Sequence, residues 1–381
     1  MEMAGPMTLM GKTDISEFDQ TTFWETHEIL YGLEAACHFR TESGFVGLQR
    51  TAHIHPLFAM AVFTRRYRSL DSRDKLFGIL SFLLEPHRAL LPPNYSQTAA
   101  TIYTKFSAAV VAVSGGRIYS DLSVGSRSGE KMPSWALDLS SQTADGDSNP
   151  AVMLMPANRE RFSASKGRKT QCVPLGPRLI IQGVAVDHVE STFNVNDGDV
   201  VNPASMYSNL VSFRTLARQR STLDVPSNDP ASKFKHLRAA DSICDVMTCG
   251  FCNDKGLSRA FDKWVPTSDH AGAPTNVSNS ASSTSSTDTE LCEDGISLML
   301  HSIVGRKLLI TRSGFFGIGV SDIRAGDLVV VLFGFDVPMV LRDQGDHFSM
   351  IGAARVGGIM EGKLMEFVDD ETLRQRTFLI K

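Results

Sequence analysis

Two clusters in this sequence hold side chains of the kind that do chemistry. The first is SLDSRDKLFGIL, Ser69 to Leu80, where Asp71, Arg73, Asp74 and Lys75 run directly into Leu76, Phe77, Ile79 and Leu80. Paired carboxylates beside cations could act as acid and base, or as a docking surface. The same residues also make a helix start, with Asp71 as N-cap and Asp74 at capping-box distance, its negative charge at the positive helix end. Capping accounts for both aspartates without catalysis and is the preferred reading. It leaves Arg73 unexplained, because a cation in the first turn gains nothing from the helix dipole. Arg73 is therefore expected to reach another segment as a fork-like tie, and Arg73→Ala is expected to cost more stability than Lys75→Ala.

The second cluster is Cys244, Cys249 and Cys252, whose C-x-x-C spacing suits zinc or a redox pair, with Cys292 or His270 available to complete four ligands. Its context argues against both. CGFC follows a helical pattern rather than a strand, and the fourth ligand would come from or beyond a Ser/Thr-rich loop, so the cysteines are read as reduced, buried thiols and no metal is expected. GPMTLMGKT, Gly5 to Thr13, misses the phosphate-loop spacing by one residue and lacks a preceding strand. Gly314, Gly317 and Gly319 lack the order and the following helix of a dinucleotide fingerprint and fit a β bend instead. Neither G-x-S-x-G nor H-E-x-x-H occurs. No cofactor is expected, and the sequence leans away from an enzyme.

The elements that must carry these residues are legible in outline. Residues 1–22 carry no structural pattern and are expected to be disordered. FWETHEILYGLEAACHFR and HIHPLFAMAVFTRRYRSL have helical periodicity, the Ser69–Leu80 stretch starts a third helix, and YSQTAATIYTKFSAAVVAVS predicts a fourth that Gly115 and Gly116 stop. Residues 121–172 are Gly, Ser, Pro and Asn rich, a linker interrupted by MPSWALDLS, in which Trp135 is read as a plug that pins the connection to a core. PRLIIQGVAVDHVEST alternates as a strand with Ile181, Val184, Val186 and Val189 as its buried positions. A helical insertion follows over 196–266, then a disordered loop over 267–292. From Lys307 to Phe367 short β-rich pieces are divided by Gly and Asp, as in a small antiparallel barrel or curled sheet. The fold class expected is α+β: a helical N-terminal half, 23–120, and a barrel-like β-rich domain built from 173–195 and 303–367, with 368–381 as a C-terminal tail.

Several of these segments resemble one family. Asp71-Ser72-Arg73-Asp74-Lys75-Leu76-Phe77-Gly78-Ile79-Leu80 resembles the D-P-R-D-K-V-[YF]-A-L-L signature of fungal heterokaryon-incompatibility domain proteins, with Ser72 for proline and Gly78 for alanine. Pro92-Pro93-Asn94-Tyr95-Ser96 resembles the P-D-Y segment, and Pro133, Ser134, Trp135 and Asp138 fall on L-P-S-W-V-P-D. Downstream, Gly314, Gly317 and Gly319 resemble T-x-x-G-x-x-G-x-G-P, Gly326 and Asp327 resemble G-D-x-V-x-V-L-x-G, Pro338 and Arg342 resemble P-x-V-L-R, and Gly358 falls on H-G-I-M-D-G. The resemblance runs from about Phe23 to Glu366. Family members usually begin with an A-L-S-Y-x-W-G motif and an Arg/Trp-rich stretch ending in Q-E, neither of which occurs in this chain. The nucleotide-cleaving activity suggested by a likeness of that segment to Toll/interleukin-receptor domains is therefore not transferred.

Charge and hydropathy narrow the partners. Among 381 residues, 38 basic side chains face 42 acidic ones, a formal charge of −4, so there is no cationic excess to track a phosphate backbone and nucleic acid is not expected. No apolar run approaches the roughly 20 residues of a bilayer span, and MEMAGPMTLMG lacks the pattern of a secretory signal. The expectation is a cytoplasmic protein with protein partners. The resemblance implies a non-catalytic binding or regulatory role in non-self recognition and cell death. The alternative is an enzyme or accessory factor with a small-molecule pocket between the two halves, near Trp135 and Arg342.

Overall fold

A computed structural model describes residues 61, 69–80, 88–89, 91–114, 132–139, 162–170, 172–195, 203–222, 236–237, 246, 303 and 306–381. The four cysteines and His270 lie outside these residues, as do the near-miss phosphate loop, the 1–22 and 267–292 segments and nearly all of the first two predicted helices.

Eight strands carry the architecture: β1 (Cys172–Leu175), β2 (Arg178–Val195), β3 (Arg306–Thr311), β4 (Phe316–Val320), β5 (Leu328–Leu332), β6 (Met339–Asp343), β7 (Phe348–Val356) and β8 (Gln375–Ile380). They hydrogen-bond in the order β2, β3, β4, β7, β6, β5, and β5 pairs back onto β2, so the sheet closes into a six-stranded ring. The closure depends on the length of β2. Its second half pairs with β3 from Val189 to Val195, its middle pairs with β5 from Gly183 to His188, and its first half pairs with β8 from Leu179 to Val184. Shifts in register at Val189/Ser191 and Ala185/Asp187 mark bulges, which let one strand bend around a small barrel. A ring leaves few unpaired strand edges; β1, hydrogen-bonded to β2, extends the sheet on one side.

Alternation in the sequence becomes two separate cores. Val184, Val189, Leu309, Val329, Val331, Val340, Ala354 and Val356 pack together in the lumen. On the outer face Leu328, Val330, Leu332, Met339 and Leu341 join a different cluster with Leu76, Phe106, Trp135 and Leu137. Every side chain of LVVVL in β5 is thus buried, because both faces of that strand are covered. Burial of each such side chain contributes about 1.5–3 kcal/mol, which is why an unbroken apolar run is stable as a strand here.

Helices sheathe the outside. α1 is short, Asp74–Phe77. α2, Ala99–Ser114, buries Ile102, Tyr103, Phe106 and Val110 on one stripe. Its cap is Thr98, whose Oγ1 accepts from the Thr101 N–H at 3.2 Å; Ser96, just before it, is folded into a turn on Asn94. α3, Pro203–Thr222, covers β3 and β4: Leu210, Phe213 and Ala217 pack on Leu308, Ile310, Phe316 and Ile318. A 3-10 turn, Lys363–Met365, and α4, Glu366–Asp369, close one barrel end with Leu364 and Met365 in the lumen cluster.

The tail expected over 368–381 contains a strand. QRTFLI alternates, with Phe378 and Ile380 buried, and it pairs with the first half of β2. Its run is short and follows polar residues, so periodicity alone did not separate it from a terminus.

Candidate functional site

The charge cluster at position 71 is a clasp between two loops. Asp71 does not cap α1 with its side chain; the helix begins at Asp74 and its N-cap residue, Arg73, makes no side-chain cap bond. Instead, Asp71 Oδ1 accepts from the backbone N–H of Arg73 at 2.9 Å, and both carboxylate oxygens accept from the Arg73 guanidinium, at 2.9 Å from Nε and 2.6 Å from Nη2. A carboxylate only two residues before a guanidinium can fold back on it, and that competes with capping. The Arg73 guanidinium, aided by its backbone N–H, holds the Asp71 carboxyl down to about 2. In turn Asp71 raises the Arg73 pKa.

Arg73 reaches the second loop with its other nitrogen. Nη1 donates to the backbone carbonyls of Tyr95 and Gln97, and the guanidinium lies over the Tyr95 ring, 5.1 Å from its centroid. Tyr95 donates its hydroxyl to Asp74 Oδ1 at 2.6 Å, a bond that raises the phenol's pKa, and it meets Phe77 edge-on. The Tyr103 hydroxyl donates to the Ser72 carbonyl. Lys75 is buried beside Leu76 and Phe77. The D-x-R-D-K and P-P-N-Y-S segments are thus two parts of one interlock.

The P-S-W segment fastens this helical layer to the barrel. Trp135 is wholly buried, and its Nε1 donates to the Pro177 carbonyl in the β1–β2 turn at 3.1 Å. Ser134, next to Pro133, donates its Oγ to the Lys381 carbonyl and accepts from the Met350 N–H at 2.9 Å. Leu137 N–H donates to Ser107 Oγ on α2, and Asp138 is buried nearby in sequence. An enclosed Trp135 does not line an open cleft, which removes one wall of the pocket expected between the halves.

Within the barrel, Asp327 and Arg342 form a second fork, 2.8 Å from Nε to Oδ1 and 2.9 Å from Nη2 to Oδ2. Asp327 also accepts from the Arg324 N–H, and Arg342 Nη2 donates to the Asp322 carbonyl, so one side chain pair closes the turn before β5. Asp327 raises the Arg342 pKa. Gly326 precedes this fork, and Pro338 leads into β6 with its carbonyl accepting from Ala354 N–H. Gly314 sits in the β3–β4 turn, while Gly317 and Gly319 lie on β4 where it meets β7. A Cβ at Gly317 would fall on the Arg355 carbonyl and 3.1 Å from the Val356 Cα, so only glycine lets these strands approach. Gly358 has φ +83° and no space before the Leu237 carbonyl, which excludes side chains there twice over.

One open site was not anticipated. A pocket of about 290 Å³ is lined by Arg168, Lys169, Gln182, Phe333 and Gln375. It lies at the barrel end where β5 finishes and β8 begins. The 162–170 segment crosses this end, with Ala164 N–H donating to Asp336 and Ser165 N–H to Phe335. Five residues from four separate stretches compose the pocket. The available signals were a glutamine at a lumen position of LIIQGVAV and the basic pair in GRKT. Among the described residues no group of His, Cys, Asp or Glu could hold a metal ion, and no helix is long and apolar enough to cross a membrane.

A closed β-barrel sheathed by helices, with a turn tied by an Asp–Arg fork, defines a structural class rather than a reaction. Residues 271–380 match the Het-6 beta-barrel domain. The chain is also 33% identical over 82 residues to heterokaryon incompatibility protein 6, OR allele, of Neurospora crassa, a match covering 20% of this chain and 12% of that protein. Both matches are partial, and what they show is that the barrel is similar to a domain of fungal heterokaryon-incompatibility proteins. No solved structure matches. The matched span omits β2, which the ring requires.

Proposed function

We propose that this chain acts by binding, as a regulatory component of fungal non-self recognition whose engagement with protein partners in the cytoplasm leads to cell death. The observation that carries the reading is the barrel's match to the Het-6 domain, together with similarity to a protein named for heterokaryon incompatibility. The use of the motif residues supports it as well. Asp71, Asp74, Arg73, Ser134, Trp135, Asp327 and Arg342 spend their hydrogen bonds on internal ties, the pattern of a scaffold that presents surfaces. Apolar Val173 and Leu175 stand exposed on β1 and offer contact area to a protein partner.

The test is expression in a strain carrying a different incompatibility background. Loss of viability on fusion, dependent on this gene, is the expected result; unchanged viability with soluble protein present overturns the proposal. A second reading, an enzyme or accessory factor with a small-molecule pocket, is favoured by the open site at Arg168 and Gln375 rather than by any cleft at Trp135.

A further inference from the structure

We propose that the barrel mouth binds a small molecule in which an oxyanion, phosphate or carboxylate, is attached to a flat ring. This names the ligand class for the second reading and rests on that reading alone, so its failure leaves the viability test of the first untouched.

The argument begins with hydrogen-bonding capacity left over. Arg168 Nη2 donates to Asp369, yet a guanidinium has five N–H donors in a plane, and the Arg168 side chain makes no other hydrogen bond among the described residues. Lys169 is exposed and makes no ion pair or hydrogen bond among them. The side-chain amides of Gln182 and Gln375 are likewise unengaged. Four polar side chains with unspent donors therefore converge on one concavity. Asp369 offsets part of the Arg168 charge, which leaves about one net positive charge, mostly at Lys169; that suits an anion and disfavours a cation.

Placement in the barrel explains why these groups meet. Gln375 pairs directly with Val184, a lumen residue, and Gln182 is two positions earlier on the same face of β2. Both amides therefore look along the inner face, at the end of the ring, where barrels commonly hold ligands. Phe333, packed in the lumen cluster, forms the apolar floor, and the Arg168 guanidinium lies over its ring at 5.1 Å. A stacked guanidinium keeps its second face free for another flat group, while its edge donors and Lys169 meet the oxyanion. The volume, about 290 Å³, lies at the low end for ligand sites and fits one ring with one acidic substituent.

Calorimetric titration and thermal shift of the full chain with phenyl phosphate, benzoate and the neutral benzamide test this. Either oxyanion is expected to bind at least about tenfold more tightly than benzamide, and to weaken as salt rises. The stronger of the two decides between phosphate and carboxylate. Arg168 also holds Asp369 and Phe333, so Arg168→Gln could disturb the fold; Lys169→Gln and Gln375→Leu alter only exposed side chains. Each is expected to keep the wild-type melting temperature and to lose about tenfold in oxyanion affinity. Equal affinity in Lys169→Gln and wild type overturns the proposal, as does failure of both oxyanions to bind more tightly than benzamide.

Discussion

The clasp at the helical layer and the turn before β5 are both built on an aspartate that grips an arginine with two oxygens, and the two pairs do different work. Asp71 and Arg73 have side chains 33% and 26% exposed, whereas Asp327 is 3% exposed opposite an Arg342 at 25%. In the clasp the aspartate is a holder: it orients Arg73 so that the far nitrogen reaches Tyr95 and Gln97. In the barrel the aspartate is itself the hub, taking bonds from Arg342 and from the Arg324 backbone where water is excluded. Burial, not the identity of the pair, decides which partner is indispensable.

The largest expected effect comes from detaching one region from the other. Trp135→Ala should cost about 4 kcal/mol in urea unfolding, by cavity and lost Pro177 bond together, while Trp135→Phe keeps most of the volume and should cost about 1–2 kcal/mol. If both were neutral, the helical layer would not depend on this plug. Next, Asp327→Ala should cost about 3 kcal/mol, since it strands the Arg342 guanidinium and the Arg324 N–H in a sheltered turn. Arg73→Ala should lower the melting temperature less than Asp327→Ala and more than Lys75→Ala, and its effect should shrink in high salt; salt-independent loss would show that packing on Tyr95 dominates. The reverse order of Arg73 and Asp327 would break the comparison altogether.

The smallest effect is acid sensitivity. Because Asp71 is held at about 2 when folded, the fork's contribution is complete above the ordinary carboxylate value of about 4 and disappears as pH falls through about 2. Asp71→Asn should therefore flatten the acid limb of the wild-type stability profile between those values and leave its shape at neutral pH unchanged. A profile that still steepens identically in Asp71→Asn would assign that limb to other carboxylates.

What the sequence could disclose was local. LVVVL, RSGFFGIGV and the long alternation from Arg178 read as strands because their side chains face packed surfaces on a period of two. An arginine with no dipole partner pointed to a distant tie, but not to the Tyr95 and Gln97 carbonyls, because a backbone acceptor leaves no trace in residue type. The capping reading of Asp71 failed for a related reason: its carboxylate had two possible partners within reach, and the guanidinium two residues away outcompeted the helix end. A small barrel was expected from the short, glycine-divided strands, but which pair closes it was not legible, since nothing in β2 or β5 records that each meets the other. The mouth pocket escaped notice because Arg168, Gln182, Phe333 and Gln375 become neighbours only after the ring closes.

The length of β2 also sets an order of events in time. During synthesis β2 emerges well before β3, β5 and β8, which claim successive parts of it, and the entire segment between Val195 and Arg306 must be made before the first of them arrives. Until then its unmatched backbone is an open template, and pairings so distant along the chain are slow to form. A ribosome halted before β8 would leave Leu179 to Val184 without that neighbour, so a strand made late finishes a wall begun long before it.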